Sequence, residues 1–185
     1  MKKSFWVGIA AAALAVTAFA GGSSSGLKPG ESVTPFHPKH LAGPLAGTTN
    51  CFPCTFQNRP QVQIWVNGDS PENVAKLAKA LDDAMGKYQG KEFKALVVIL
   101  TDGNDSKAAD MVKGLVKDKG LNRVGIALGD KNAEFVKDYK INTGKEIKNT
   151  VITYKNWTVA KNIVNLSTDA TGLGALHAAI AEVVK

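Results

Sequence analysis

The sequence predicts an α/β domain: a central mixed sheet flanked by helices and entered through an irregular N-terminal arm. Three observations predict it. From Val62 onward, short apolar runs bounded by turn residues alternate with longer segments of helical period. The last two runs are separated by only four residues. The stretch before Pro60 carries four prolines ahead of Cys51 and shows no sustained period.

In order, Val62, Ile64 and Val66 alternate with Gln63 and Trp65 in a strand that stops at Asn67-Gly68-Asp69. Trp65 is expected in the core of that strand. Ser70-Pro71-Glu72 supplies an N-cap followed by proline at the first helical position, and Val74, Leu77, Leu81 and Met85 continue at helical spacing. Residues 95–100 are a continuous apolar run, as expected of a strand covered on both faces. A lysine-studded helix with Met111, Val112, Leu115 and Val116 inward ends at Gly120. A strand over 124–128 and a short helix through Phe135, Val136 and Tyr139 follow. Residues 151–154 and 159–166 form a hairpin across Lys155-Asn156-Trp157, and a last helix aligns Leu173, Leu176, Ile180 and Val183. The order β-α-β-α-β-α-β-β-α requires a mostly parallel sheet with right-handed crossovers and antiparallel strands at one side.

Composition bounds the function. The chain has 185 residues, 44% hydrophobic and 21% charged, enough for one domain to bury a core without staples. Lys2 and Lys3 precede an apolar run over 5–16 that ends in Ala18-Phe19-Ala20. That run is shorter than the ~20 residues of a membrane span and reads as a signal peptide over 1–20, cleaved after Ala20. Glycine, not cysteine, stands immediately after that point, which argues against a lipid anchor, and no later segment is apolar enough to span. The exported product, periplasmic or secreted, keeps 21 basic against 16 acidic residues, interspersed rather than massed, which argues against nucleic-acid binding. A Gly/Ser leader fills 21–26, the arm 27–61 and the domain 62–185.

Three stretches carry a family likeness. Asn58-Arg59-Pro60-Gln61-Val62-Gln63-Ile64-Trp65 reads as the entry into a central strand, Asp130 through Tyr139-Lys140-Ile141 as the approach to a hairpin, and Thr150-Val151-Ile152-Thr153-Tyr154-Lys155-Asn156 as its first strand. With Leu27-Lys28-Pro29-Gly30-Glu31 ahead of them, they resemble the thioredoxin-like fold, in particular its redoxin branch of alkyl hydroperoxide reductases and thiol-specific antioxidants. The resemblance implies a reactive cysteine in the loop after the central strand, where the following helix lowers its pKa. Here that loop is Asn67-Gly68-Asp69-Ser70-Pro71-Glu72 and holds none. Asn149 stands at the place of the family's cis-proline, and Lys148 where peroxiredoxins place an arginine. Peroxidase activity is therefore not expected. Pro44, Thr48 and Cys51 have the spacing of a peroxiredoxin motif but lie before the central strand, and this match is read as coincidence.

Cys51 and Cys54 are the only cysteines, in a Cys-Phe-Pro-Cys motif upstream of the central strand. Three uses are open. A redox-active dithiol would exchange disulfides with protein or small-molecule thiols, Cys51 attacking and Cys54 resolving. A structural disulfide in a non-enzymatic binding or scaffold module would remove about 2 kcal/mol of unfolded-chain entropy. A Zn or Cu site would join His37 and His40 to Cys51 and Cys54; on the first two readings no cofactor is needed. Residues 97–103 and 124–130 also resemble strands of von Willebrand factor A domains, but Asn67-Gly68-Asp69-Ser70-Pro71 lacks that family's metal motif. Asp102, Asp105 and Asp110 lack Ca²⁺-loop spacing and read as a solvated helix start.

Overall fold

The computed structural model describes residues 23–185, so the expected signal peptide lies outside the described residues. Eleven elements follow in chain order: β1 (Lys39–Ala42), α1 (Phe52–Phe56), β2 (Gln61–Val66), α2 (Pro71–Lys87), β3 (Lys94–Thr101), α3 (Asp105–Lys119), β4 (Gly125–Asp130), α4 (Glu134–Asp138), β5 (Asn149–Lys155), β6 (Thr158–Val164) and α5 (Ala170–Val183). They form one six-stranded sheet in the order β1-β4-β3-β2-β5-β6. β2, β3 and β4 are parallel, while β1, β5 and β6 are antiparallel to their neighbours. The elements expected beyond Val62 are all present. The antiparallel pairing of β5 on β2 sets aside the von Willebrand factor A reading.

α2, α3 and α5 cover one face of the sheet. Val74, Leu77, Leu81, Val112, Leu115, Leu176, Ile180 and Val183 meet Val62, Ile64, Val97, Ile99 and Ile126 there. Asp82 is a polar exception on the buried side of α2. Its carboxylate accepts the backbone N–H groups of Asn122, Arg123 and Val124 at 2.7–3.0 Å and so ties the loop before β4 to the helix. Burial pushes its pKa up, but the three N–H groups and the Arg123 guanidinium outweigh it and hold it below the ordinary carboxylate value.

The other face shows what the arm is for. Leu27, Val33, Phe36, Leu45, Phe52 and Phe56 come from the arm and pack with Val136 and Tyr139 onto Trp65, Leu96, Val98 and Ala127. The arm is not wholly irregular, since it contributes β1 and α1. β1 extends the sheet beyond β4 and turns away at Gly43, whose φ of 81° and closeness to the Val124 carbonyl leave no room for a side chain. Earlier in the arm, Gly30, Glu31 and Val33 bond the backbone of Trp157 and Val159, closing the outer edge of β6.

β2 departs from its polar-apolar alternation by being buried on both faces. Gln61 and Gln63 point into the second core, where they are satisfied by one another's partners. Tyr154 Oη donates to Gln61 Oε1 (2.8 Å), Gln63 Nε2 donates to Tyr154 Oη (2.9 Å), and Trp65 Nε1 donates to Gln63 Oε1 (3.2 Å). Tyr139 Oη donates to the Thr34 carbonyl at 2.8 Å, fixing the arm to the same network. Burial raises the pKa of both tyrosines, so they remain neutral donors.

Candidate functional site

The loop after β2, where the resemblance places a reactive cysteine, is filled by polar side chains bonded to one another. Ser70 caps α2 by accepting the Asn73 N–H at 3.2 Å. Asp69 accepts the Ser70 N–H (2.8 Å) and Asn73 Nδ2 (2.9 Å) on one oxygen and Asn149 Nδ2 (2.8 Å) on the other. Asn149 is 1% exposed and also bonds both backbone groups of Leu166. Asn73 in turn accepts the Thr168 hydroxyl at 2.7 Å. The Asn67 N–H donates to the Lys148 carbonyl at 2.8 Å, while the Lys148 side chain is exposed. Among the described residues no peptide bond is cis, consistent with asparagine at position 149. This corner holds the sheet and two helices together and presents no nucleophilic sulfur.

Both cysteines lie on the other face. The chain returns from β1 through the turn at Gly43, and Thr48 closes that turn by donating to the Leu45 carbonyl at 2.8 Å. Thr48 is thus engaged locally, and its spacing from Cys51 has no counterpart in a peroxide pocket. Cys51 then caps α1 with Pro53 in the first turn, the position where a missing N–H costs nothing. Phe52 and Phe56 drive α1 into the second core with their rings 4.8 Å apart. α1 therefore sits across the sheet from α2, and the cysteines are on the opposite side from the 67–70 loop.

Cys51 and Cys54 form a disulfide. Their environments differ. Cys51 is 6% exposed and its Sγ accepts the Cys54 backbone N–H at 3.2 Å, whereas Cys54 is exposed. Thr55 Oγ1 donates to the Cys51 carbonyl at 2.8 Å and secures the first turn.

The two histidines stand beside this segment without joining the sulfurs. His37 Nδ1 lies 3.0 Å from the Thr49 carbonyl and His40 Nε2 lies 2.9 Å from the Asn50 carbonyl. A carbonyl only accepts, so each of these nitrogens carries the proton. His40 is 2% exposed, and its Nδ1 has no partner. Burial lowers its pKa below the usual histidine value, and the bond to Asn50 offsets only part of this. Among the described residues no group of three or more His, Cys, Asp or Glu side chains is placed to hold a metal. The His37, His40, Cys51 and Cys54 quartet is thus divided: sulfurs bonded to each other, rings bonded to backbone. The aspartates near α3 are likewise engaged, Asp102 with Lys131 and Asp105 with Thr101.

No protein-family model matches the chain, and no curated protein matches it in sequence. Solved structures do. A Chlorobium tepidum protein assigned as the thiol:disulfide interchange protein DsbE superposes with a TM-score of 0.64 at 13% identity, over 86% of this chain and 99% of that one. The thioredoxin-like fold is established. A Bacteroides thetaiotaomicron protein assigned as a protein disulfide isomerase gives 0.63 at 12% identity, covering 88% and 94%. Peroxiredoxin Q of Xanthomonas campestris gives 0.58 at 10% identity, covering 88% and 100%. Identities this low speak to the fold alone. Within this thioredoxin-like frame, sequence reasoning located the empty loop and the displaced cysteines but not what fills the one or shields the other. In the sequence, Asp69, Asn73 and Asn149 carry no signal beyond helix capping and a missing proline, and nothing there marks His40 as buried.

Proposed function

We infer that this is an exported thioredoxin-fold protein whose Cys51–Cys54 pair exchanges disulfides with protein or small-molecule thiols. The observation that carries the reading is the exposure of Cys54 within a disulfide that closes a very short loop. Such a loop stabilises the fold by only about 2 kcal/mol, and both core faces are already built without it. An exposed cysteine residue can be met by an incoming thiolate, and its partner three residues away is placed to resolve the mixed disulfide. The Asp69–Asn149 corner supports the same reading by exclusion, since it offers no competing thiol. Neighbours in fold described as interchange proteins and isomerases are in keeping with it.

Export rests on Lys2, Lys3 and the apolar run that follows. No helix among the described residues is long and apolar enough to cross a membrane. The first test is a redox titration against glutathione. A midpoint between about −120 and −270 mV, the span of exchange proteins, is expected. A midpoint below about −300 mV with no exchange overturns this reading and makes the pair a staple in a binding or scaffold module. For export, the protein recovered outside the cytoplasm should begin at Gly21; an intact Met1 on cytoplasmic material overturns it.

A further inference from the structure

The geometry points to Cys54, not Cys51, as the sulfur that external thiols attack and that carries the mixed disulfide, with Cys51 as the leaving and resolving thiolate. This assignment rests on the exchange reading above and reverses the order expected from the motif.

Two observations made independently of each other carry it. The first is access. Displacement at a disulfide requires the nucleophile to approach along the S–S axis, from the side of the sulfur attacked. Cys54 is an exposed residue, so its side of the disulfide is the one within reach of solvent. Cys51 is 6% exposed and is followed by Phe52, which is 1% exposed and part of the second core, so its side of the disulfide is shielded. The second is the leaving group. Cys51 Sγ accepts the Cys54 backbone N–H at 3.2 Å, a bond that strengthens as negative charge develops on that sulfur. A stabilised thiolate leaves faster. Cys54 Sγ accepts no hydrogen bond of this kind among the described residues.

The step balances. An incoming thiolate RS⁻ forms a bond to Cys54 Sγ as the Cys51–Cys54 bond breaks, and the electron pair leaves on Cys51 Sγ as a thiolate. A second thiol of the same partner then attacks its own sulfur in the mixed disulfide, releasing Cys54. The partner is oxidised to a disulfide and the protein is reduced to a dithiol. In the other direction, the Cys54 thiolate attacks a disulfide and Cys51 displaces the product thiolate, through the same intermediate.

The test uses Cys51→Ser, Cys54→Ser and the wild type with glutathione as probe. Oxidised glutathione should modify Cys54 in Cys51→Ser at least tenfold faster than Cys51 in Cys54→Ser. Rapid acid quenching of oxidised wild type mixed with reduced glutathione, followed by peptide mass mapping, should find the glutathione on Cys54. This second measurement decides the matter even if a variant folds poorly. Glutathione mapped to Cys51 in wild type overturns the assignment while leaving exchange itself intact. No exchange by wild type overturns both.

Discussion

The 67–70 loop and the 51–54 turn use the same local device and fill it differently. Each starts a helix with a side chain that accepts the backbone N–H three residues on, at 3.2 Å in both cases: Ser70 to Asn73 and Cys51 to Cys54. In the first, an inert hydroxyl caps the seventeen-residue α2, whose aligned peptide dipoles are the greater electrostatic resource. In the second, sulfur caps the five-residue α1. The comparison teaches that the strongest helix start in this fold serves cohesion. Sulfur chemistry at the weaker start must draw on exposure and on the partner three residues away.

That contrast can be measured directly. The largest effect is expected at the turn: Cys54→Ser should abolish catalysed exchange. Asn149→Ala, across the sheet, should leave the exchange rate within twofold. A large rate loss in Asn149→Ala would restore the 67–70 loop as a working part of the site. Asn149→Ala should instead appear in stability, because it strands buried groups of Leu166 and one Asp69 oxygen. Urea unfolding should show a loss of about 2–3 kcal/mol, or roughly 5–10 °C in Tm. A loss under about 0.5 kcal/mol would mean that the corner is not the clasp its bonds suggest. Reduction of Cys51–Cys54 should cost at most about 2 kcal/mol by the same assay. A much greater loss would make the disulfide a structural necessity.

The smallest effect concerns His40. Its folded pKa is depressed, so on acidification the unfolded chain binds a proton before the folded one does. Stability should fall as pH drops through the ordinary histidine value of 6.5 and continue falling until the folded pKa is passed. His40→Gln should flatten that slope between pH 7 and 5. An unchanged slope would assign it to other groups.

How much of this could be read in advance follows from what each segment buries. β3 is a run of apolar residues covered on both sides, and α2 repeats Val74, Leu77, Leu81 and Met85. Such elements announce themselves because packing and period coincide. β1 and α1 do not. Lys39–Ala42 mixes charge with apolar residues, and α1 is little more than one turn long, so each is held by tertiary contacts and leaves no periodic trace. Gln61 and Gln63 mislead for the opposite reason. Polar side chains mark a solvent face only when no buried partner exists, and here Tyr154, Tyr139 and Trp65 supply partners. At the candidate site, the displacement of the cysteines could be counted from residue spacing. The unequal shielding of Cys51 and Cys54 could not, because it depends on how Phe52 and Phe56 meet a sheet assembled from distant strands.

The arm's Phe36 stands 5.2 Å from the indole of Trp65 and 5.1 Å from the ring of Tyr139. A tryptophan that is 0% exposed in the folded protein, with one of the aromatic rings packed on it supplied by the arm, is a built-in optical gauge of whether the arm is seated. Its emission should shift toward the red when the arm lifts, even with β2 to β6 still paired. The segment that carries the disulfide can therefore be followed by the light of a residue on the central strand.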